Sequence, residues 1–135
     1  MDKENLKKAG LKVTLPRRKI LDILETAENH HMSAEDIYGY LRKSGEEIGL
    51  ATVYRVLTQF EEAGLVARHH FETGQSVFEL ASGQHHDHLI CVKCNQVKEF
   101  YDDVIEAKQQ AIADKAGFQM TDHSLIIYGV CANCQ

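Results

Sequence analysis

"LATVYRVLTQFEEAG", residues 50–64, is the stretch on which the fold turns. Val53, Val56, Leu57 and Phe60 recur at helical spacing and form a regular apolar stripe, which Gly64 ends. With about 100° of rotation per residue, Ala51, Arg55, Thr58 and Gln59 point away from that stripe, and Tyr54 lies on its flank. No carboxylate occurs between Glu47 and Glu61, although the chain averages about one in seven. A helix whose exposed first turns carry no negative charge is suited to approach a polyanion. An ordinary amphipathic helix would share the stripe, so the neighbouring segments decide between the two readings.

Upstream, a short helix is expected near residues 3–9, ending at Gly10. "TLPRRKILDILETA" follows, with Thr14 as cap, Pro16 in the first turn, and Ile20, Leu21, Ile23, Leu24 and Ala27 as the apolar stripe. "SAEDIYGYLRKSG" begins with Ser33 as cap and Asp36 three residues on, the pattern of a capping box. Its Ala34, Ile37, Tyr38 and Leu41 share one face. Downstream, "LVARHHF" and "QSVFEL" alternate as strands around the turn Glu72-Thr73-Gly74. Helix-turn-helix followed directly by a β-hairpin is the order of a winged helix. The segment 81–84 is short, small and hinge-like. Beyond it come a strand, a CxxC turn, the strand "QVKEFY", the helix "DDVIEAKQQAIADKAG" and the strand "HSLIIYGVC". The expected class is α+β: a winged-helix domain over residues 1–80, a hinge at 81–84 and a small α/β domain over 85–135. With roughly fifty residues, the second domain is too small for a generous core, so metal, dimerisation or both should support it.

Charge divides along the same line. The chain of 135 residues has a net charge of −5, yet residues 1–19 hold seven basic against two acidic groups, a net of +5. Residues 69–135 hold four basic and nine acidic groups, a net of −5. One end is a footprint for a polyanion, and the other is a region that divalent cations would neutralise. Hydrophobic residues make up 44%, as in globular chains, and no apolar run reaches the length of a bilayer span. "MDKENLKKAG" lacks the apolar core of a signal peptide, so the compartment expected is the cytoplasm, where thiols stay reduced.

There, Cys91-x-x-Cys94 and Cys131-x-x-Cys134 read as a tetrathiolate zinc site rather than as disulfides or a redox pair. "QHHDHLICVKC", residues 84–94, adds three histidines and an aspartate. If the stretch is extended, side chains alternate, so His86 and His88 point one way while His85 and Asp87 point the other. That arithmetic favours two separate nitrogen/oxygen sites besides the zinc site. Mixed histidine and carboxylate ligands suit Zn²⁺, Fe²⁺, Mn²⁺ or Co²⁺. Hydrolytic metalloenzymes need an open metal position and a general base, and there is no HExxH and no Cys-His-Asp constellation, so the chain does not read as an enzyme.

"GLKVTLPR", "HMSAEDIY", "GLATVYRVLTQFEEAGLV", "FETGQSVFEL", "HHDHLIC" and the two CxxC pairs, in that order, resemble the ferric uptake regulator family of bacterial metal-dependent repressors nearly end to end. The resemblance implies a winged-helix domain, an α/β dimerisation domain, and a homodimer that can extend to a tetramer on DNA. It implies structural Zn²⁺ on Cys91, Cys94, Cys131 and Cys134, and a regulatory site of His31, Glu79, His86, His88 and Glu99. A second nitrogen/oxygen site would be His85, Asp87, Glu106 and His123. Both implied sets respect the split that strand alternation makes.

For double-stranded DNA with an AT-rich inverted repeat, the resemblance implies Tyr54 and Arg55 in the major groove, the ring against thymine methyls. It implies Lys12 in a narrow minor groove, with Arg17 and Thr52 on the backbone. His69 and His70 on the wing have no clear ligand partners in the sequence and are expected to be exposed or phosphate-proximal, and His30 is expected to face solvent. Glutamates at 79 and 99, unlike the aspartates of peroxide sensors, and His31, where zinc sensors often place cysteine, point to Fe²⁺. Mn²⁺, Co²⁺ and Zn²⁺ are expected to substitute in the test tube. The alternatives are a Zn²⁺ or Mn²⁺ sensor of the same family, and a zinc-ribbon interaction module that does not bind DNA.

Overall fold

The computed structural model describes residues 2–28, 30–72, 74–81 and 85–135, with side chains from Glu4 onward. Thr73 of the expected turn and residues 82–84 of the expected hinge lie outside the described residues. The chain divides into two compact units, Met1–Ser82 and Gly83–Gln135.

In the first unit, α1 (Asp2–Lys8) ends before Gly10, whose φ of 80° is one that glycine adopts without strain. α2 (Leu15–Thr26) starts at Thr14, whose hydroxyl accepts the Arg17 N–H, with Pro16 in the first turn. α3 (Ala34–Lys43) carries both halves of the capping box. Ser33 Oγ accepts from Asp36 N–H and Asp36 Oδ2 accepts from Ser33 N–H, each at 3.1 Å. α4 (Leu50–Glu62) buries Val53, Val56, Leu57 and Phe60 and stops at Gly64, with φ of 78°. β1 (Val66–His70) and β2 (Ser76–Leu80) follow as an antiparallel hairpin, Val66 opposite Leu80 and His70 opposite Ser76. This is the winged-helix order expected. Its core joins Leu6, Ile20, Leu21, Leu24, Ile37, Leu41, Phe60 and Phe78 from every one of these elements except β1, which adds Val66.

The second unit is a three-stranded sheet with one helix. β3 (Asp87–Cys91) lies between β4 (Val97–Phe100), antiparallel, and β5 (Ile126–Gly129), parallel. α5 (Asp103–Lys115) makes the crossover that parallel pairing requires. Asp102 caps it, accepting from the N–H groups of Val104 and Ile105. A 3₁₀ turn, Ala132–Cys134, follows β5.

Candidate metal centres and nucleic-acid interface

The parallel pairing of β3 with β5 sets Cys91 beside Gly129 and so brings the second CxxC pair to the first. Asn95 takes a φ of 64°, which asparagine tolerates, and its N–H bonds back to the Cys91 carbonyl at 2.9 Å to close the first knuckle. The 3₁₀ turn returns Cys134 to Cys131. The four Sγ atoms all lie within 4.8 Å of one another. Four sulfurs bound to one zinc would stand about 3.8 Å apart given Zn–S bonds of about 2.3 Å. The Cys94 and Cys131 sulfurs are 3.8 Å apart.

The electrostatics make the same demand. N–H groups of Cys131 and Cys94 point at Cys91 Sγ and pull its thiol down to about 6. The Cys131 and Cys94 side chains push Cys134 up to about 12. The Cys94 thiol also rises, the Gln96 N–H being outweighed by Cys91, burial and Cys131. Four adjacent thiolates are unfavourable without a cation among them, and a soft divalent ion meets that need.

His85, Asp87, Glu106 and His123 converge within the second unit. His85 Nε2 lies 3.0 Å from Asp87 Oδ1 and 3.2 Å from Glu106 Oε1, while His123 Nε2 is 2.7 Å from Glu106 Oε2. The two rings are 4.2 Å apart. Asp87 is fully buried, and its Oδ2 has no hydrogen-bond partner among the described residues. A buried carboxylate oxygen in that state is costly unless a cation meets it. The donor set therefore fits a borderline divalent ion.

The five residues implied for the regulatory site divide between the units. In Met1–Ser82, Met32 and Phe78 exchange both backbone hydrogen bonds, at 3.1 and 2.8 Å, which places the adjacent His31 opposite Glu79. His31 Nε2 is 2.8 Å from Glu79 Oε2, and both side chains are buried. Glu79 Oε1 is held at 2.5 Å by His69 Nε2. His69 was expected to lack ligand partners, and the structure corrects that. It sits diagonally across the hairpin from Glu79, whose direct partner is Ala67, and stacks on Phe71. His70 instead meets Ser76 Oγ at 2.8 Å, and His30 is exposed. In Gly83–Gln135, His88 and Glu99 are direct cross-strand partners, His86 Nε2 is 3.5 Å from Glu99 Oε1, and the His86 and His88 rings are 4.8 Å apart.

Histidines 85 and 86 precede the regular strand, which starts at Asp87. Strict alternation therefore does not govern them. The pairing it led to is still found, His85 with Asp87 and His86 with His88.

On α4, Tyr54 and Arg55 are exposed and Thr52 is half-buried, while Lys12 is exposed in the segment before α2. Arg17 makes hydrogen bonds within the protein. Its Nη1 donates to the Lys12 carbonyl at 2.9 Å, and Nε and Nη2 reach Gln59 Oε1 at 3.3 and 3.1 Å. It thus braces the Lys12 segment against α4. The Tyr54 hydroxyl donates to Glu35 Oε1 on α3, a pairing the sequence reading did not anticipate.

The family model described as "Ferric uptake regulator family" matches residues 8–128. The chain is 64% identical to the ferric uptake regulation protein of Legionella pneumophila, covering 99% of this chain and 98% of that one. The ferric uptake regulator of Vibrio cholerae superposes with a TM-score of 0.91 at 60% identity, over 97% of this chain and 100% of that one. A structure of the Francisella tularensis ferric uptake regulator with iron superposes with a TM-score of 0.88 at 47% identity, over 93% of this chain and 95% of that one. Winged-helix order, clustered donors and near-complete matching agree: the chain belongs to the ferric uptake regulator family.

Proposed function

We propose that this chain is a metal-responsive, DNA-binding transcriptional repressor of iron-uptake genes. The observation that carries the reading is the pairing of a winged helix, whose α4 exposes Tyr54 and Arg55 on a carboxylate-free stretch, with clustered histidine and carboxylate donors in a chain of this family. Family relatives that are ferric uptake regulators support iron as the signal, as does the Francisella tularensis protein's structure with iron. Mn²⁺, Co²⁺ and Zn²⁺ are substitutes by ligand type.

Structural Zn²⁺ belongs on Cys91, Cys94, Cys131 and Cys134. The regulatory ion belongs on His31, Glu79, His86, His88 and Glu99. When bound, Fe²⁺ would supply coordination bonds to these histidine and carboxylate donors. His31 and Glu79 would offer two of the donors, and His86, His88 and Glu99 the other three. Sharing the ion favours one arrangement of the units by its differential affinity for that arrangement. In a dimer, that arrangement sets the spacing of two α4 helices over successive major grooves. His85, Asp87, Glu106 and His123 make the second nitrogen/oxygen site.

Dimerisation is supported by apolar surface left open on the second unit. Leu89 and Ile127 are exposed neighbours on β3 and β5, and Val104, Ile112 and Phe118 are 67, 68 and 71% exposed. Exposed apolar groups of this number on a small unit mark an interface. On DNA, Lys12, Arg17, Thr52, Tyr54 and Arg55 are the contacts, with an AT-rich inverted repeat matching the symmetry of the dimer.

The test is fluorescence anisotropy with an AT-rich inverted-repeat duplex, under anaerobic conditions and with protein holding only its structural zinc. Fe²⁺ should produce saturable binding that a chelator reverses, and His31→Ala should lose that response while keeping its zinc. Equal binding with and without Fe²⁺ would remove the iron switch, and no binding in either state would favour an interaction module.

A further inference from the structure

Tyr54 is the aromatic side chain that α4 exposes, at 42%, and its hydroxyl donates to Glu35 Oε1 across the helix-turn-helix. The partner is well anchored at its backbone. Glu35 occupies the first turn of α3, between the two members of the capping box, Ser33 and Asp36. That first turn also favours its negative charge, through the helix dipole. The phenol's hydrogen bond holds the Glu35 carboxyl below its usual range, and the carboxylate in turn pushes the Tyr54 phenol up. Donor and acceptor therefore keep these roles across the physiological pH range.

A carboxylate beside α4 is out of keeping with its surroundings. The sequence keeps negative charge off residues 48–60, and a carboxylate near phosphates weakens the electrostatic attraction that dominates affinity for DNA. Glu35 brings such a charge to the recognition helix from the neighbouring element. The gain is geometric. An exposed tyrosine on a helix is free at both side-chain torsions, and ordering it on binding opposes association. Tethering the hydroxyl fixes both torsions beforehand and uses up the phenol's donor. What it presents to a base edge is then the ring, which suits a methyl group, beside an oxygen that can only accept.

We propose that Glu35 is a specificity-determining positioning residue, which holds the Tyr54 ring in the orientation that reads thymine methyls and gives up general DNA affinity in doing so. The proposal rests on the reading of Tyr54 as a base contact, and the experiment separates the two.

Full-length protein loaded with Zn²⁺ and Mn²⁺ is titrated against an inverted-repeat duplex and against copies in which single thymines are replaced by deoxyuridine. A random-sequence duplex serves as reference. Loss of one contacted methyl should weaken the unaltered protein about fourfold, the equivalent of one buried methyl group. Tyr54→Ala should abolish that penalty. Glu35→Ala and Tyr54→Phe should each reduce it to a similar extent, and the double variant should reduce it no further. Glu35→Gln keeps an oxygen to accept the phenol proton, so it should retain the penalty while binding the random duplex more tightly.

If Tyr54→Ala leaves the penalty intact, the tyrosine does not read those bases, and both the contact and the proposal fall. If Tyr54→Ala removes it while Glu35→Ala and Tyr54→Phe keep it in full, the tyrosine reads without its tether and the proposal alone is overturned. Unchanged zinc content and melting of the variants keep a folding defect from imitating the expected result.

Discussion

In the unit Met1–Ser82, fifteen buried apolar residues among those described form one cluster drawn from four helices, a hairpin and the connecting segments at Met32 and Ile48. In Gly83–Gln135, the buried residues among those described are Asp87, His88, Ile90 and Cys91. Three of those four are metal-donor types, and α5 buries nothing. The first unit excludes water with hydrocarbon. In the second, the space where a core would sit is taken by groups that gain stability only when charge meets them. A small unit can be specified by ligation where it cannot be specified by packing.

The largest effect that could break this contrast comes from the cysteines. Cys91→Ser, or stripping zinc with a strong chelator, should unfold Gly83–Gln135 and leave Met1–Ser82 intact. The scale is set by structural zinc sites, worth about 10–16 kcal/mol in isolated fingers, against a unit with almost no apolar core. Amide hydrogen exchange is the measurement. Protection should vanish from β3, β4 and β5 and persist in α2, α3 and α4. Protection retained in the sheet would mean that packing or the dimer interface, rather than thiolate ligation, holds that unit.

Phe60→Ala is the converse experiment. Phe60 is fully buried in the first unit, and truncating such a ring costs about 3–5 kcal/mol. Thermal unfolding followed by exchange or near-ultraviolet dichroism should lose stability in α2–α4, while zinc content stays at one equivalent per chain. A loss of zinc on this substitution would show that the units do not fold by separate means.

How much of this could be read from the residues depends on how local the cause is. The capping box of Ser33 and Asp36 and the stripe from Val53 to Phe60 are set by spacings of three and four, and both stand as expected. The CxxC pairs were legible because ligand chemistry restricts their spacing. The pairing that unites them was not, since β3 and β5 meet in parallel only after a crossover through α5. Tyr54 with Glu35 and Arg17 with Gln59 join residues 19 and 42 positions apart, and no periodicity encodes either. Arg17 also braces the Lys12 carbonyl and α4, a contact that its basic character and its place in the basic N-terminal segment do not reveal.

His69 sharpens the comparison most finely, because it is a ligand-type residue working inside the unit that apolar packing builds. The β1–β2 register sets it diagonal to Glu79, where Nε2 holds Oε1, and His31 meets Oε2 from the other side. Glu79 is buried, so its two oxygens are oriented by these imidazoles rather than by water. Groups that orient a metal ligand from behind are worth about tenfold or more in affinity when removed. His69→Ala should therefore weaken Fe²⁺ or Mn²⁺ binding about tenfold in a chelator competition. Zinc content should not change, and the unfolding of the first unit should shift far less than with Phe60→Ala, since His69 lies outside the apolar cluster. Unchanged affinity would reduce His69 to a ring stacked on Phe71. Tighter binding would mean that it competes with the ion for Glu79. Complete loss of the regulatory ion, with zinc retained, would make His69 a ligand in its own right.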